Sequence, residues 1–334
     1  MIWPEARSGF AVPPSQFLLF LLDAPSLVLH NRLMRKFLAP LIIIVTLGFA
    51  CHSVPAQQIP AAIDTDPQTD KQHPAAMETF QLPSHGAQLN ALMYVAAGAG
   101  PHPVVVLLHG FPGNEKNLDL AQSIRRAGWD VLFFNYRGSW GSPGDFSFTH
   151  STEDVAAALD YLRDPADAAK LRADPKRIVL IGHSMGGFLA GYGGAHDPAV
   201  LAIGMISAAD LGAWAASADP AKGDEQAVAK IAPALAAEGL SPLHGCTPEG
   251  LAHDMLEHRT EWHFVTFAPL VGPRPVLLIT SDDGLANASM AFAEGLRQSG
   301  NKHVTEQHFA TDHAYSDKRI GLQEAVLAWL ATLH

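Results

Sequence analysis

The sequence contains little cysteine, little charge and no segment rich in basic residues. Its 334 residues include two cysteines, Cys51 and Cys246, and neither belongs to a C-x-x-C pair, which argues against a zinc ribbon or a thioredoxin-type site. Charged residues make up 16% of the chain and the net charge is −11, so the composition argues against nucleic acid as a partner. The 17 histidines form no H-E-x-x-H motif, and the spacing of His253 and His258 does not place them on one helix face. No metal site is therefore indicated.

The first apolar run has the features of a secretory signal peptide. Arg35 follows Met34 and begins a short basic region, and the apolar stretch Phe37–Ala50 comes next. Small residues precede a predicted cleavage site after Ala56, so the signal peptide spans about residues 34–56, with Met34 as the expected start. Two alternatives stay open: a lipoprotein signal that ends at Cys51, and a membrane anchor, for which the run is shorter than the roughly 20 residues that a spanning helix needs.

A signal peptide predicts a periplasmic or secreted protein, in contact with the membrane only through that peptide or a lipid on Cys51. Cleavage after Ala56 leaves Cys246 as the one cysteine of the mature chain, so no internal disulfide is expected. Residues 57–77 are polar and rich in proline, and we expect a disordered leader there.

Strand-like and helix-like segments alternate over residues 78–334, which we expect to form one domain. Predicted strands lie at Glu78–Leu82, Leu89–Val95, Pro103–Leu108, Asp130–Phe134, Arg177–Ile181, Val200–Ser207, Pro275–Thr280 and His303–Phe309. Predicted helices lie at Leu118–Ala127, Glu153–Leu162, Asn287–Ser299 and Gly321–Leu333. Residues 208–274 have helical spacing without a buried strand, which indicates a helical insertion that covers the site. The fold class is therefore α/β, with a mostly parallel, doubly wound sheet.

The segment Arg177–Leu189 reads as strand, sharp turn and helix, with Ser184 at the apex of a G-x-S-x-G motif. Gly182 and Gly186 are expected where the strand and the helix approach too closely for a Cβ atom. Ser184 is the candidate nucleophile, and the Met185 N–H at the start of the helix is a candidate oxyanion donor.

A serine nucleophile needs a base and an acid, which follow it in the order Ser, Asp or Glu, then His on this type of sheet. Asp282 and Asp283 follow one predicted strand, and His313 follows the next. Carboxyl ends of parallel strands meet at one edge of the sheet, so these residues can converge on Ser184. His313 is the expected base. Asp283 is the expected acid because it lies deeper in the turn, with Asp282 as the alternative.

The loop His109–Gly113 follows a predicted strand at the same edge and has HG-x-x-G spacing. The Phe111 N–H is the expected second oxyanion donor, beside that of Met185.

Apolar side chains of the helical insertion are candidates for the substrate pocket, with packing against the core as the alternative. They are Trp214, Met255, Trp262, Phe264 and Phe267.

Four segments together, HGFPGNEKNLDLA, NYRGSWGSPG, GHSMGG and TDHAYSD, resemble the α/β-hydrolase superfamily, near its prolyl oligopeptidase-type and dienelactone-hydrolase-type catalytic domains. The resemblance extends from about Thr79 to the end of the chain. It implies an α/β-hydrolase fold with a helical lid insertion and a Ser-His-Asp serine hydrolase that uses no metal or organic cofactor.

The partner implied by this resemblance is a small-molecule or short peptide acyl substrate. Residues 57–78 leave no room for the propeller domain of large oligopeptidases, so a carboxylic ester is the expected substrate. The alternatives are a serine peptidase or amidase that acts on short peptides or aminoacyl amides, and a non-catalytic binding protein on the same scaffold.

Overall fold

An eight-stranded β-sheet organises the part of the chain that the computed structural model describes, residues 61–218 and 223–333. The strands are β1 (Ala76–Ser84), β2 (Ala87–Val95), β3 (His102–Leu108), β4 (Asp130–Phe134), β5 (Ala173–His183), β6 (Ala202–Ile206), β7 (Val276–Ser281) and β8 (Val304–Phe309). The helices are α1 (Ala61–Asp64), α2 (Leu118–Arg126), α3 (Phe148–Arg163), α4 (Pro165–Leu171), α5 (Met185–His196), α6 (Leu211–Ala216), α7 (Asp224–Ala237), α8 (Pro248–Glu257), α9 (Phe264–Phe267), α10 (Ala286–Gln298) and α11 (Arg319–Leu330).

The strand order is β1-β2-β4-β3-β5-β6-β7-β8, in which β2 is antiparallel to both of its neighbours and the pairs from β4 to β8 are parallel. The hairpin between β1 and β2 turns at His85 and Gly86, whose φ angles of 45° and 83° lie in the left-handed region typical of a two-residue turn. The predicted mostly parallel, doubly wound sheet is confirmed. Because β3 and β5 to β8 are parallel, the loops that follow them meet at one edge of the sheet.

Successive side chains of the central strands point to opposite faces of the sheet, which divides the core into two clusters. Val104 and Val106 of β3 belong to the cluster that packs under α3 and α5, whereas Val105 and Leu107 belong to the cluster under α2 and α11. All four side chains are fully buried. This pattern is typical of a strand covered by helices on both faces, and it makes the sheet a rigid support for the loops at its edge.

Residues 61–75 correct the expectation of a disordered leader over 57–77. The Arg126 side chain donates to the carbonyl oxygens of Ala62 and Ile63, at 2.5 and 3.2 Å. The Arg172 side chain donates to the carbonyl oxygen of Pro74 at 2.9 Å. These two guanidinium groups attach the segment to the domain, and nothing in local composition indicates such partners.

The predicted helical insertion corresponds to α6 through α9 and a 3₁₀ helix, Ala268–Val271, all between β6 and β7. Predicted and observed ends of strands differ by a few residues. Helix α3 begins at Phe148 rather than at the predicted Glu153, because Ser147 caps it by accepting a hydrogen bond from the His150 amide.

The predicted signal peptide and Cys51 lie outside the described residues. Across residues 61–218 and 223–333, every helix is too short or too polar to cross a bilayer.

Candidate active site

Ser184 lies at a strained turn between β5 and α5. Its φ of 60° and ψ of −122° are unusual for a residue with a side chain, and its amide donates to the Ile206 carbonyl at 2.9 Å. A Cβ at Gly182 would lie 1.8 Å from the Gly186 carbonyl oxygen, and one at Gly186 would lie 2.1 Å from that of Leu108. Both positions therefore require glycine, and the packing of strand against helix projects the serine from the edge of the sheet.

His313 and Asp283 form a close pair in the loops that follow β8 and β7. His313 Nδ1 lies 2.7 Å from Asp283 Oδ2, and the Leu285 amide donates to Asp283 Oδ1 at 2.9 Å. The carboxylate is 4% exposed and the imidazole 42% exposed. Burial acts to raise the pKa of Asp283, but the hydrogen bonds from His313 and Leu285 outweigh it and hold that pKa far below its usual range. The carboxylate is thus ionised and fixed against the imidazole.

The other acidic residues of these loops face elsewhere. The Asp282 side chain is 64% exposed and pairs with His308 Nε2 at 3.1 Å. Asp312 accepts a hydrogen bond from the Ser316 amide at 2.8 Å, within its own loop. The structure therefore brings Asp283, and not Asp282, to His313.

Ser184, His313 and Asp283 line one open cavity of about 600 Å³ at the carboxyl edge of the sheet. In the described residues no hydrogen bond joins the Ser184 hydroxyl to His313. Such contacts commonly tighten only when a substrate binds. The arrangement places a hydroxyl, an imidazole and an ionised carboxylate around one space.

Phe111 and Met185 border the same cavity. Their amides find no hydrogen-bond acceptor among the described residues, and a Cβ at Gly110 would lie 3.0 Å from Ser184 Cβ. The Phe111 loop therefore lies directly against the serine. Two unpaired amides beside a hydroxyl can stabilise a developing oxyanion.

Two buried histidines flank these groups as neutral rings. Burial, with repulsion from His313, lowers the pKa of His183 to about 4, and burial lowers the pKa of His109 to about 4. His183 Nε2 donates to the His313 carbonyl oxygen at 2.8 Å, and the two rings pack with centroids 4.6 Å apart. His183 thus supports the loop that carries His313, a contact that the sequence pattern does not indicate.

The expected pocket wall needs correction. Trp214 lines the cavity, but Met255, Trp262, Phe264 and Phe267 do not; each of these four is at most 1% exposed and packs in the core. Their large apolar surfaces are buried between the helices after β6 and the sheet, so the core-packing alternative holds for them.

Other residues that sequence reasoning missed complete the wall. They are Phe148, Ala209, Leu211, Leu235, Glu238 and Leu285. Ala209 and Leu285 closely follow the ends of β6 and β7, so their places in the chain were a usable signal. Phe148 and Leu235 lie on helices, and sequence spacing did not indicate that they line the cavity.

A comparison with protein-family models matches residues 105–318, well over half of the chain, to the alpha/beta hydrolase family. The chain belongs to the alpha/beta hydrolase family. The matched region of this alpha/beta hydrolase begins in β3 and ends beyond His313, so it includes every candidate catalytic residue.

Two uncharacterized bacterial proteins are related in sequence to this alpha/beta hydrolase. One from Mycobacterium tuberculosis is 30% identical over 144 residues, which are 42% of this chain and 50% of the relative. One from Salmonella typhimurium is 29% identical over 163 residues, 47% of this chain and 53% of the relative. The chain spans about half the length of these curated relatives.

Solved structures share the fold at low sequence identity. Est1E from Butyrivibrio proteoclasticus, with bound ferulic acid, aligns with a TM-score of 0.57 and 18% identity over 76% of this chain and 98% of its own. An esterase from Pyrobaculum calidifontis aligns with a TM-score of 0.58 and 19% identity over 79% of this chain and 88% of its own. An acylaminoacyl peptidase from Pyrococcus horikoshii aligns with a TM-score of 0.55 and 18% identity over 77% of this chain and 41% of its own. At these identities the likeness establishes the fold.

Proposed function

We propose that this alpha/beta hydrolase cleaves carboxylic esters through a covalent acyl-enzyme at Ser184. The observation that carries the proposal is the 2.7 Å contact between His313 and the buried, ionised Asp283 beside the strained Ser184 turn. Structural strain at a serine and an acid-oriented histidine at one cavity are expected of an activated nucleophile, whereas a binding scaffold needs neither.

In the first half-reaction, Ser184 Oγ attacks the ester carbonyl carbon while His313 Nε2 removes the hydroxyl proton. Asp283 accepts the hydrogen bond of Nδ1–H, which fixes the tautomer with Nε2 free and stabilises the imidazolium that forms. The amides of Phe111 and Met185 stabilise the tetrahedral oxyanion. His313 then returns the proton to the alcohol oxygen as the C–O bond breaks.

In the second half-reaction, water enters the position that the alcohol has left. His313 removes a proton from the water as its oxygen attacks the acyl carbon, and the same two amides stabilise the second oxyanion. Collapse of this intermediate releases the carboxylic acid, and the proton held by His313 returns to Ser184.

The cavity wall favours an ester with an apolar group. Aromatic and aliphatic side chains dominate it: Phe111, Phe148, Leu211, Trp214, Leu235 and Leu285. Glu238 adds one carboxylate, and the peptide groups of an extended peptide would find few polar partners there. Short peptides and aminoacyl amides are therefore the second candidate substrates, after esters. The structural likeness to an acylaminoacyl peptidase supports this second candidate.

The test is steady-state hydrolysis of p-nitrophenyl esters of increasing acyl length and of aminoacyl p-nitroanilides, by wild-type protein and by Ser184→Ala. We expect ester turnover in the wild type, slower or no anilide turnover, and a loss of several orders of magnitude in Ser184→Ala. Equal ester turnover in the two proteins would refute the nucleophile. Faster anilide turnover would reassign the enzyme to amide substrates.

A further inference from the structure

Next to Asp283 lies a group of three buried hydroxyls that do not line the cavity. Ser207 Oγ lies 2.9 Å from Ser281 Oγ and 2.9 Å from the Tyr315 hydroxyl. All three side chains are at most 1% exposed. They come from different elements: Ser207 follows β6, Ser281 ends β7, and Tyr315 lies two residues after His313.

Two of these residues have an unusual backbone conformation. The φ angles of Ser207 and Tyr315 are 41° and 58°, in the left-handed region where residues with side chains are uncommon. The Ser207 amide donates to the Ile279 carbonyl at 2.7 Å, which holds the serine beside β7. Strained residues that persist in a fold are maintained by the contacts around them, and here both strained positions direct a hydroxyl to the same point.

The middle hydroxyl of the group joins the other two. Ser207 Oγ has one proton to donate and lone pairs with which to accept, so it can bond to both Ser281 Oγ and the Tyr315 hydroxyl. Ser281 lies two residues before Asp283, and Tyr315 lies two residues after His313. The three hydroxyls therefore connect the backbone next to Asp283 with the backbone next to His313.

The Tyr315 hydroxyl can donate a hydrogen bond at neutral pH. Burial raises its pKa to about 12, so the phenol keeps its proton. Its ring lies edge-on to those of His183 and Phe309, with centroids 6.1 and 6.0 Å apart, which fixes the hydroxyl in place. The result is a chain of hydroxyls from Tyr315 to Ser207 to Ser281, which links the loop of His313 to the end of the strand that precedes Asp283.

We propose that Ser207 and Tyr315 are positioning residues that hold the loops of Asp283 and His313 in the relative placement that their 2.7 Å contact needs. They do not line the substrate cavity, so they act through the placement of these two loops. The inference rests on the proposed function, because it assigns these hydroxyls to the support of the same catalytic acid.

The experiment measures kcat and KM for a p-nitrophenyl ester in Tyr315→Phe, Ser207→Ala and the control Ser289→Ala. Ser289 is also a buried serine, but its hydroxyl has no partner among the described residues and it lies outside the cavity. Loss of a buried hydrogen bond between neutral hydroxyls predicts a fall in kcat of roughly 3- to 10-fold in the first two variants, with KM unchanged. Ser289→Ala should keep the wild-type kcat.

A second readout separates positioning from loss of structure. The proton of His313 Nδ1–H, hydrogen-bonded to Asp283, gives a downfield NMR resonance, and we expect it to move in both variants while circular dichroism and Tm stay close to wild type. Tyr315→Phe keeps the ring and its packing, so it remains informative if Ser207→Ala folds poorly.

Wild-type kcat and an unmoved resonance in Tyr315→Phe would overturn the proposal, as would an equal fall in kcat in Ser289→Ala. These outcomes differ from failure of the proposed function, in which the wild type itself shows no ester turnover that depends on Ser184.

Discussion

Replacing Asp283 with asparagine should nearly abolish turnover while the fold survives. The side-chain oxygen of the introduced asparagine could still accept from the Leu285 amide, so the turn keeps its 2.9 Å hydrogen bond. The new NH₂ group would then face His313 Nδ1 across the present 2.7 Å contact and would donate rather than accept. The imidazole would adopt the other tautomer, with its proton on Nε2, and could no longer remove a proton from Ser184.

The expected magnitude is a fall in kcat of about 10³- to 10⁴-fold, the size found when a buried triad acid loses its charge but not its shape. The matched control is Asp282→Asn. Its side chain is 64% exposed and pairs with a histidine that is 51% exposed. An exposed pair contributes about 0–1 kcal/mol, so this variant should keep near-wild-type kcat and Tm.

The assay is p-nitrophenyl ester hydrolysis with Tm measured on the same samples. Turnover by Asp283→Asn within tenfold of the wild type would refute the assignment of the acid. An equally large fall in kcat in Asp282→Asn would show that the contact between Asp283 and His313 does not identify the catalytic acid.

Three further predictions concern packing, pH and the pocket. Gly186→Ala places a Cβ 2.1 Å from the Leu108 carbonyl oxygen and should prevent folding. Gly128→Ala, which has open space around it but a φ of 90°, should cost about 1–2 kcal/mol; equal stability of the two variants would contradict this. Burial raises the pKa of Asp130 to about 7, so the folded chain binds this proton more tightly than the unfolded chain and stability falls as pH rises from about 4 to about 7. Asp130→Asn should reduce the fall in Tm over this pH range. An unchanged dependence of Tm on pH would contradict the raised pKa of Asp130. Trp214→Ala should raise KM more for long-chain esters than for acetate, and equal effects would remove Trp214 from the pocket.

The arrangement of strands was predictable because burial on both faces leaves a simple pattern. β3 and β7 are continuous apolar runs, and the residues that follow such strands must meet at one edge of a parallel sheet. The placement of Ser184, Asp283 and His313 around one cavity was predictable in this way, since each stands at a strand end. Gly182 was also readable from sequence, because only close approach of two backbones requires glycine at that position.

The pocket and the supporting contacts were not predictable to the same degree. Trp262 and Trp214 have the same side chain and both lie in the helical insertion, yet one is buried in the core and the other lines the cavity. Which face of the insertion meets the cavity depends on how its helices pack together, and local spacing does not record that. Ser207 and Tyr315 were missed for a related reason. Serine and tyrosine beside a strand end are common, and their hydroxyls come into contact only when the fold brings their loops together.

The most direct test of the account is covalent labelling of the nucleophile. Wild-type protein and Ser184→Ala are treated with a fluorophosphonate, digested and analysed by peptide mass spectrometry. The account predicts one phosphonylated site, Ser184, formed at a rate that Asp283→Asn greatly reduces, and no label in Ser184→Ala. A folded wild-type protein that takes up no label, or one labelled at another serine, would contradict the central claim.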